Sequence, residues 1–225
     1  MGKINVFINC PYDDKYRPIM FGLIYFTFKV GMNPLLSLNN KDSGDVRINK
    51  IIDLIKKSQV GIHDVSRMVA KKDKDFCRLN MPFELGIDYG FKKFVNNKKK
   101  ILVLDSLPYR YQKGLSDLAG VDISIHKNEI LELFDVLRDW IISEYNITEI
   151  KHSAALKYEY DDFHGWLNGK LEEQGYDILN TEEYDEVEEE ITYKYVNYID
   201  EIKPKEFINY CKKYFENGNG KVVNL

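Results

Sequence analysis

A chain of 225 residues with 44 % hydrophobic, 13 % aromatic and 30 % charged residues is long enough to bury a full core and too apolar to stay disordered, so it reads as one medium domain or one domain with an appendage. A formal net charge of −4 gives little support to non-specific nucleic-acid binding, and direct nucleic-acid binding is not expected. The longest apolar stretch, residues 19–30, is interrupted by Gly22, Thr27 and Lys29, too short and too polar to span a bilayer.

Three distant cysteines, Cys10, Cys77 and Cys211, form neither a CxxC pair nor a metal-ligand spacing. With no signal-peptide core at the start, they fit a reduced, cytoplasmic setting and no bound metal. Charge divides the chain. Residues 151–225 carry 9 Lys and no Arg against 17 Asp and Glu, a balance of −8, and residues 1–150 a balance of +4.

In chain order, residues 3–9 predict a β-branched, apolar strand that breaks at Pro11. Residues 17–31 follow with helical spacing, Ile19, Leu23, Phe26 and Val30 on one face and Gly31 closing it. A short strand is expected at 34–38, a polar loop at 39–45, an amphipathic helix at 46–58 with Ile48, Ile51, Ile52 and Ile55 inward, and a strand at 60–65. A long basic loop at 66–81 precedes a helix at 82–94, with Phe83, Ile87, Gly90, Phe91 and Phe94 on its apolar side. A buried strand at 100–105, a short edge strand at 122–125 and a helix at 128–145 complete the alternation.

That alternation predicts an α/β fold, a parallel sheet with helices on both faces. The composition then shifts, so the chain divides into an α/β domain at 1–148 and an acidic, aromatic-rich helical appendage at 149–225. The appendage holds helices at about 182–200 and 204–216 and at most one strand at 176–179. Its aromatics, Tyr193, Tyr195, Tyr198, Phe207, Tyr210, Tyr214 and Phe215, either pack it onto the first domain or form a contact surface for a partner protein or a second copy.

Ligands of open parallel sheets bind beyond the carboxyl ends of the strands. Asn9, Pro11, Tyr12 and Asp13 follow the first strand, Asp42 and Ser43 the second, Asp64, Ser66 and Arg67 the third. Glu84 is expected in the first turn of its helix, where the helix dipole favours the ionised form. There a carboxylate can attack an anomeric carbon or stabilise an oxocarbenium-like transition state; the alternative is a glutamate favoured there for helix stability alone. Asp64 can accept ribose hydroxyls or simply form an Asx turn with Ser66. Asp42-Ser43-Gly44 is a phosphate loop or a plain turn. Arg67 and Arg78 can pair with phosphates or stay solvated, and Asn80 marks the helix start. Cys10 is expected to be a packed thiol, His63 structural, and the acidic run 182–190 a solvated helix face.

Several of these segments together resemble a bacterial TIR-like family of small Rossmannoid proteins: Val6-Phe7-Ile8-Asn9-Cys10-Pro11-Tyr12-Asp13, Asp42-Ser43-Gly44-Asp45-Val46-Arg47, Gly61-Ile62-His63-Asp64-Val65-Ser66-Arg67, and Arg78-Leu79-Asn80-Met81-Pro82-Phe83-Glu84-Leu85-Gly86. Tyr109-Arg110-Tyr111-Gln112-Lys113 and Leu115-Ser116-Asp117-Leu118-Ala119-Gly120 extend the likeness, which covers roughly residues 3–140. Phe83-Glu84-Leu85-Gly86-Ile87-Asp88-Tyr89 is also similar to the Glu-Leu-Gly segment of nucleoside deoxyribosyltransferases, whose glutamate attacks the sugar. The TIR-type Ser-x-x-Cys/Trp run before the glutamate is replaced here by Arg78-Leu79-Asn80-Met81-Pro82. The resemblance implies a flavodoxin-like sheet. It implies an N-glycosyl hydrolase or transferase acting on NAD or a nucleoside monophosphate, with the nucleotide as substrate rather than cofactor. Glu84 and Asp64 would be catalytic, Asn9, Pro11, Tyr12, Asp13, Asp42, Ser43, Ser66, Arg67, Arg78 and Asn80 would bind the nucleotide, and the role would lie in anti-phage defence. The same crevice also suits a non-catalytic nucleotide sensor or an oligomerising module.

Overall fold

A computed structural model of the chain describes residues 3–38, 46–68, 79–110, 114–116, 120–147, 149–174, 180–185, 190–195 and 202–223, with the backbone alone for 180–185 and 190–195. Asp42, Ser43 and Arg78 and the strand expected at 176–179 lie outside the described residues.

Five parallel strands form the sheet: β1 (Asn5–Asn9), β2 (Asn33–Leu35), β3 (Val60–Asp64), β4 (Lys100–Asp105) and β5 (Ser124–Ile125). Their order, β2-β1-β3-β4-β5, is flavodoxin-like, as expected. Helices α1 (Arg17–Lys29) and α4 (Ile130–Tyr145) cover one face, and α2 (Arg47–Lys57) and α3 (Asn80–Phe94) the other. Gly31 ends the first crossover with φ +71°, the left-handed turn at which glycine carries no Cβ penalty.

α1 has no polar face in its last three turns: every residue from Ile19 to Lys29 is buried. A helix apolar all round must be covered all round. The sheet and α4 cover part of it. The rest is covered by α5 (Ser153–Glu172) and α6 (Pro204–Glu216), through a stacked Phe21–Phe207 pair with ring centroids 3.9 Å apart and through Tyr25 against Tyr160, Phe163 and Phe215. Lys29 lies within this layer, its ammonium 2.6 Å from Glu159 Oε2 and donating to the Lys221 carbonyl at 2.7 Å. The C-terminal helices thus share one continuous core with Val6, Ile8 and Leu102 of the sheet. The change near residue 149 is one of composition, not of packing.

Two expected features differ, and one helix is unforeseen. Where a helix is expected at 182–200, the described residues instead form two antiparallel strands, β6 (Asn180–Asp185) paired with β7 (Glu190–Tyr195). Thr181, Tyr184, Ile191, Thr192 and Tyr193 are β-branched or aromatic and favour strands, whereas the glutamates between them read as helix formers. Helix α5 was not anticipated. On α3, Phe83 and Phe94 are exposed, and the buried face is Met81, Glu84, Leu85 and Asp88. Among the described residues no helix is long and apolar enough to cross a membrane.

Candidate functional site

β1 and β3 pair in register so that Asn9 lies opposite His63. Side chains at paired positions share a face, and Asn9 Nδ2 is 3.0 Å from His63 Nδ1. Asn9 Nδ2 also donates to the Met81 carbonyl in the first turn of α3 at 2.9 Å. From His63 the network runs under the helix. His63 Nε2 lies 2.9 Å from Asp88 Oδ2, and Asp88 Oδ1 lies 2.7 Å from Lys99 Nζ. Lys99 also donates to the Ile55 carbonyl and to Ser58 Oγ, each at 2.7 Å. Burial lowers the Lys99 pKa, and the Asp88 carboxylate opposes that shift. Gly61 makes room for the network: a Cβ there would stand 2.2 Å from Asp88 Oδ2.

Asp64 points to the other face of β3. Its Oδ1 accepts from the Ser66 backbone N–H at 2.8 Å, an Asx turn, and its Oδ2 lies 2.8 Å from His126 Nε2. His126 Nδ1 accepts from the Asn128 N–H at 3.1 Å, so the neutral ring carries its proton on Nε2 and donates to Asp64. Lys127 and Asn128 adopt φ of 52° and 61°, which folds that N–H back onto the ring. Asp64 and His126 are both fully buried. The expected sugar-binding carboxylate is therefore committed to the interior.

Tyr12, Asp13 and Arg67 form the rim, with buried Cys10 and Glu84 and exposed Arg47 near enough for their charges to act on one another. Asp13 caps the short 3-10 helix Asp14–Tyr16 by accepting from the Tyr16 N–H at 3.1 Å. It also accepts from Arg67 through Nε at 3.3 Å and Nη2 at 3.2 Å. Arg67 is thus held by a carboxylate, not presented freely to a phosphate. Burial pushes the Cys10 thiol well up, and the charges of Asp64, Glu84 and Asp13 push it further, which disfavours the thiolate a nucleophile needs. Burial also raises the Tyr12 phenol, with Cys10 and Glu84 adding and Arg47 opposing. Pro11 is buried beneath the rim and Asn80 is exposed at the helix start.

Glu84 is the fifth residue of α3, not in its first turn. The helix begins at Asn80, ahead of Pro82, so the dipole acts weakly there. It is 6 % exposed and makes no hydrogen bond with the described residues. Burial pushes its carboxyl up to about 7, with Arg47 the opposing charge. The dipole-stabilised anion expected from sequence is instead a carboxyl poised near neutrality, the range in which a side chain can both take and give a proton.

No protein-family model and no curated protein matches this chain. Sequence reasoning passed over Arg47, Asp88, Lys99 and His126. A signal for Asp88 was present, since Glu84 and Asp88 are four apart and share a helix face. Arg47, the first residue of α2, became significant only when folding brought its charge to Glu84.

Proposed function

We propose that this chain is a TIR-like enzyme that cleaves or transfers the N-glycosidic bond of a nucleotide, with NAD and nucleoside monophosphates as leading substrates. The observation that carries the reading is Glu84: a nearly buried carboxyl, unbonded among the described residues, with a pKa near 7. Ionised, it attacks C1′ or stabilises the positive charge that grows there. The C1′–N bond breaks, the base leaves with the electron pair, and water or an acceptor takes the sugar. Protonated, it gives a neutral base the proton needed to leave. Exposed Arg47, whose charge reaches Glu84, supplies a cation for a phosphate. NAD depletion or signal production in anti-phage defence is the role that the resemblance of residues 3–140 supports.

One observation favours the binding-only alternative: Asp64 and the Asn9 amide nitrogen are occupied within the fold, which leaves fewer groups to handle a sugar in reaction. The two readings separate in one experiment. Full-length protein and Glu84→Gln are incubated with NAD and a panel of nucleoside monophosphates, and released base is measured by mass spectrometry. The enzyme reading expects release from at least one substrate, reduced 100-fold or more in the variant, in line with loss of a catalytic acid–base group. Equal release by both proteins ends it. A nucleotide that raises the melting temperature and is recovered intact supports the sensor.

A further inference from the structure

We infer that the buried chain Lys99–Asp88–His63 fixes the Asn9 side-chain amide with its oxygen toward the ligand, so that Asn9 accepts a hydrogen bond from a sugar hydroxyl of the nucleotide. The inference rests on the N-glycosidase reading for the identity of the ligand, though not for the direction of the amide.

Hydrogen-bond polarity is transmitted along this chain of contacts. Lys99 is a donor only; its Nζ donates to the Ile55 carbonyl and Ser58 Oγ, each at 2.7 Å, and forms an ion pair with Asp88 Oδ1 at 2.7 Å. Held against an ammonium, Asp88 is a carboxylate and accepts only. His63 Nε2, 2.9 Å from Asp88 Oδ2, must therefore carry a proton. In the neutral imidazole the other nitrogen, Nδ1, is then an acceptor. Its neighbour at 3.0 Å is Asn9, which must present an N–H there. The Met81 carbonyl, an acceptor by nature, demands an N–H from the same amide at 2.9 Å. Both hydrogens of Asn9 Nδ2 are consumed. Turning the amide over would set its oxygen against the Met81 carbonyl and the His63 lone pair, two unfavourable contacts at once. Only Oδ1 remains, and it is an acceptor.

Asn9 is at the carboxyl end of β1 and is 4 % exposed. It is tied to α3 at Met81, three residues before Glu84. The groups a ligand meets beside the reacting carboxyl thus include a fixed acceptor. His63 and Asp88 do not touch the ligand; they are positioning residues acting through Asn9. Gly61, by lacking a Cβ, keeps Asp88 within reach of His63.

Two measurements test this. The first needs no ligand: ¹⁵N NMR of the full-length wild-type protein, with the His63 signals assigned by their loss in His63→Gln. The expected spectrum has a protonated Nε2 and an unprotonated Nδ1. A proton on Nδ1 overturns the inference, whatever the activity. The second compares adenosine 5′-monophosphate with its 2′-deoxy and 3′-deoxy forms, in kcat/KM or, if none is turned over, in calorimetric affinity. Wild type should lose about tenfold on at least one deoxy form, the order expected for one hydrogen bond. In Asn9→Ala that ratio should fall to about twofold while the preference at the other hydroxyl persists. Absence of discrimination in wild type, or full discrimination in a folded Asn9→Ala, overturns it. Glu84→Gln releasing base at the wild-type rate would sink the N-glycosidase reading while leaving the tautomer result standing, so the two failures are distinct.

Discussion

Replacing Gly61 with alanine should be among the most damaging single-methyl additions available to this fold. The new Cβ would stand 2.2 Å from Asp88 Oδ2, 2.8 Å from His63 Nε2 and 3.3 Å from Asp88 Cγ. Asp88 cannot step aside cheaply, because its other oxygen is held by Lys99 at 2.7 Å and both side chains are fully buried. Overpacking alone costs about 1–3 kcal/mol, and breaking a buried ion pair about 3–5 kcal/mol. A loss of about 3–5 kcal/mol is expected, a large share of the roughly 5–15 kcal/mol that holds a domain. Gly86→Ala is the control. It lies within α3 with nothing inside 4 Å of its Cβ, and should gain about 0.5–1 kcal/mol from helix propensity. Urea unfolding followed by far-UV circular dichroism reads both. If Gly61→Ala lies within 1 kcal/mol of wild type, the glycine does not serve the Asp88 network and the reasoning is wrong.

Three further outcomes are expected. The folded Glu84 carboxyl has a pKa of about 7 against an ordinary 4.5, so the native state binds this proton more tightly than the unfolded chain. Its contribution to stability is complete below pH 4.5 and is lost as pH rises through 7, by on the order of 3 kcal/mol. Unfolding free energies of wild type and Glu84→Gln at pH 4.5, 6 and 7.5 should diverge by that amount, and parallel curves would refute the shift. Phe207, fully buried and stacked on Phe21, should cost about 3–5 kcal/mol when cut to alanine. Near- and far-UV unfolding midpoints should remain coincident, since α6 belongs to the same core as the sheet; a separate early transition would instead mark the C-terminal helices as an independent unit.

The sheet was legible because strands buried on both faces read as continuous apolar runs: Lys3 to Asn9 and Lys100 to Asp105 could be little else. The crossover helices α2 and α4 were legible from their period, with Ile51, Ile55, Leu133 and Leu137 inward as expected. α3 misled because its phenylalanines suggested an apolar face. Phe83 and Phe94 are exposed while Glu84 and Asp88 face the sheet, a pattern that reverses the hydrophobic rule where polar groups are needed inside. The strands β6 and β7 lie where the sequence suggests a helix at 182–200, because local glutamate content outweighs the β-branched and aromatic residues between.

What the chain determined by itself was local and one-dimensional: alternation, strand identity, and the clustering of Asn9, Asp13 and Asp64 at one end of the sheet. Whether those groups are available was decided only in three dimensions. Asp64 is taken by His126, 62 residues away, Asp13 by Arg67, and the Asn9 nitrogen by His63 and Met81, while Glu84 keeps its carboxyl unspent among the described residues. The physical reason is that a polar group's chemistry depends on what remains after its buried hydrogen bonds are satisfied. Those partners come from distant positions that no local pattern connects.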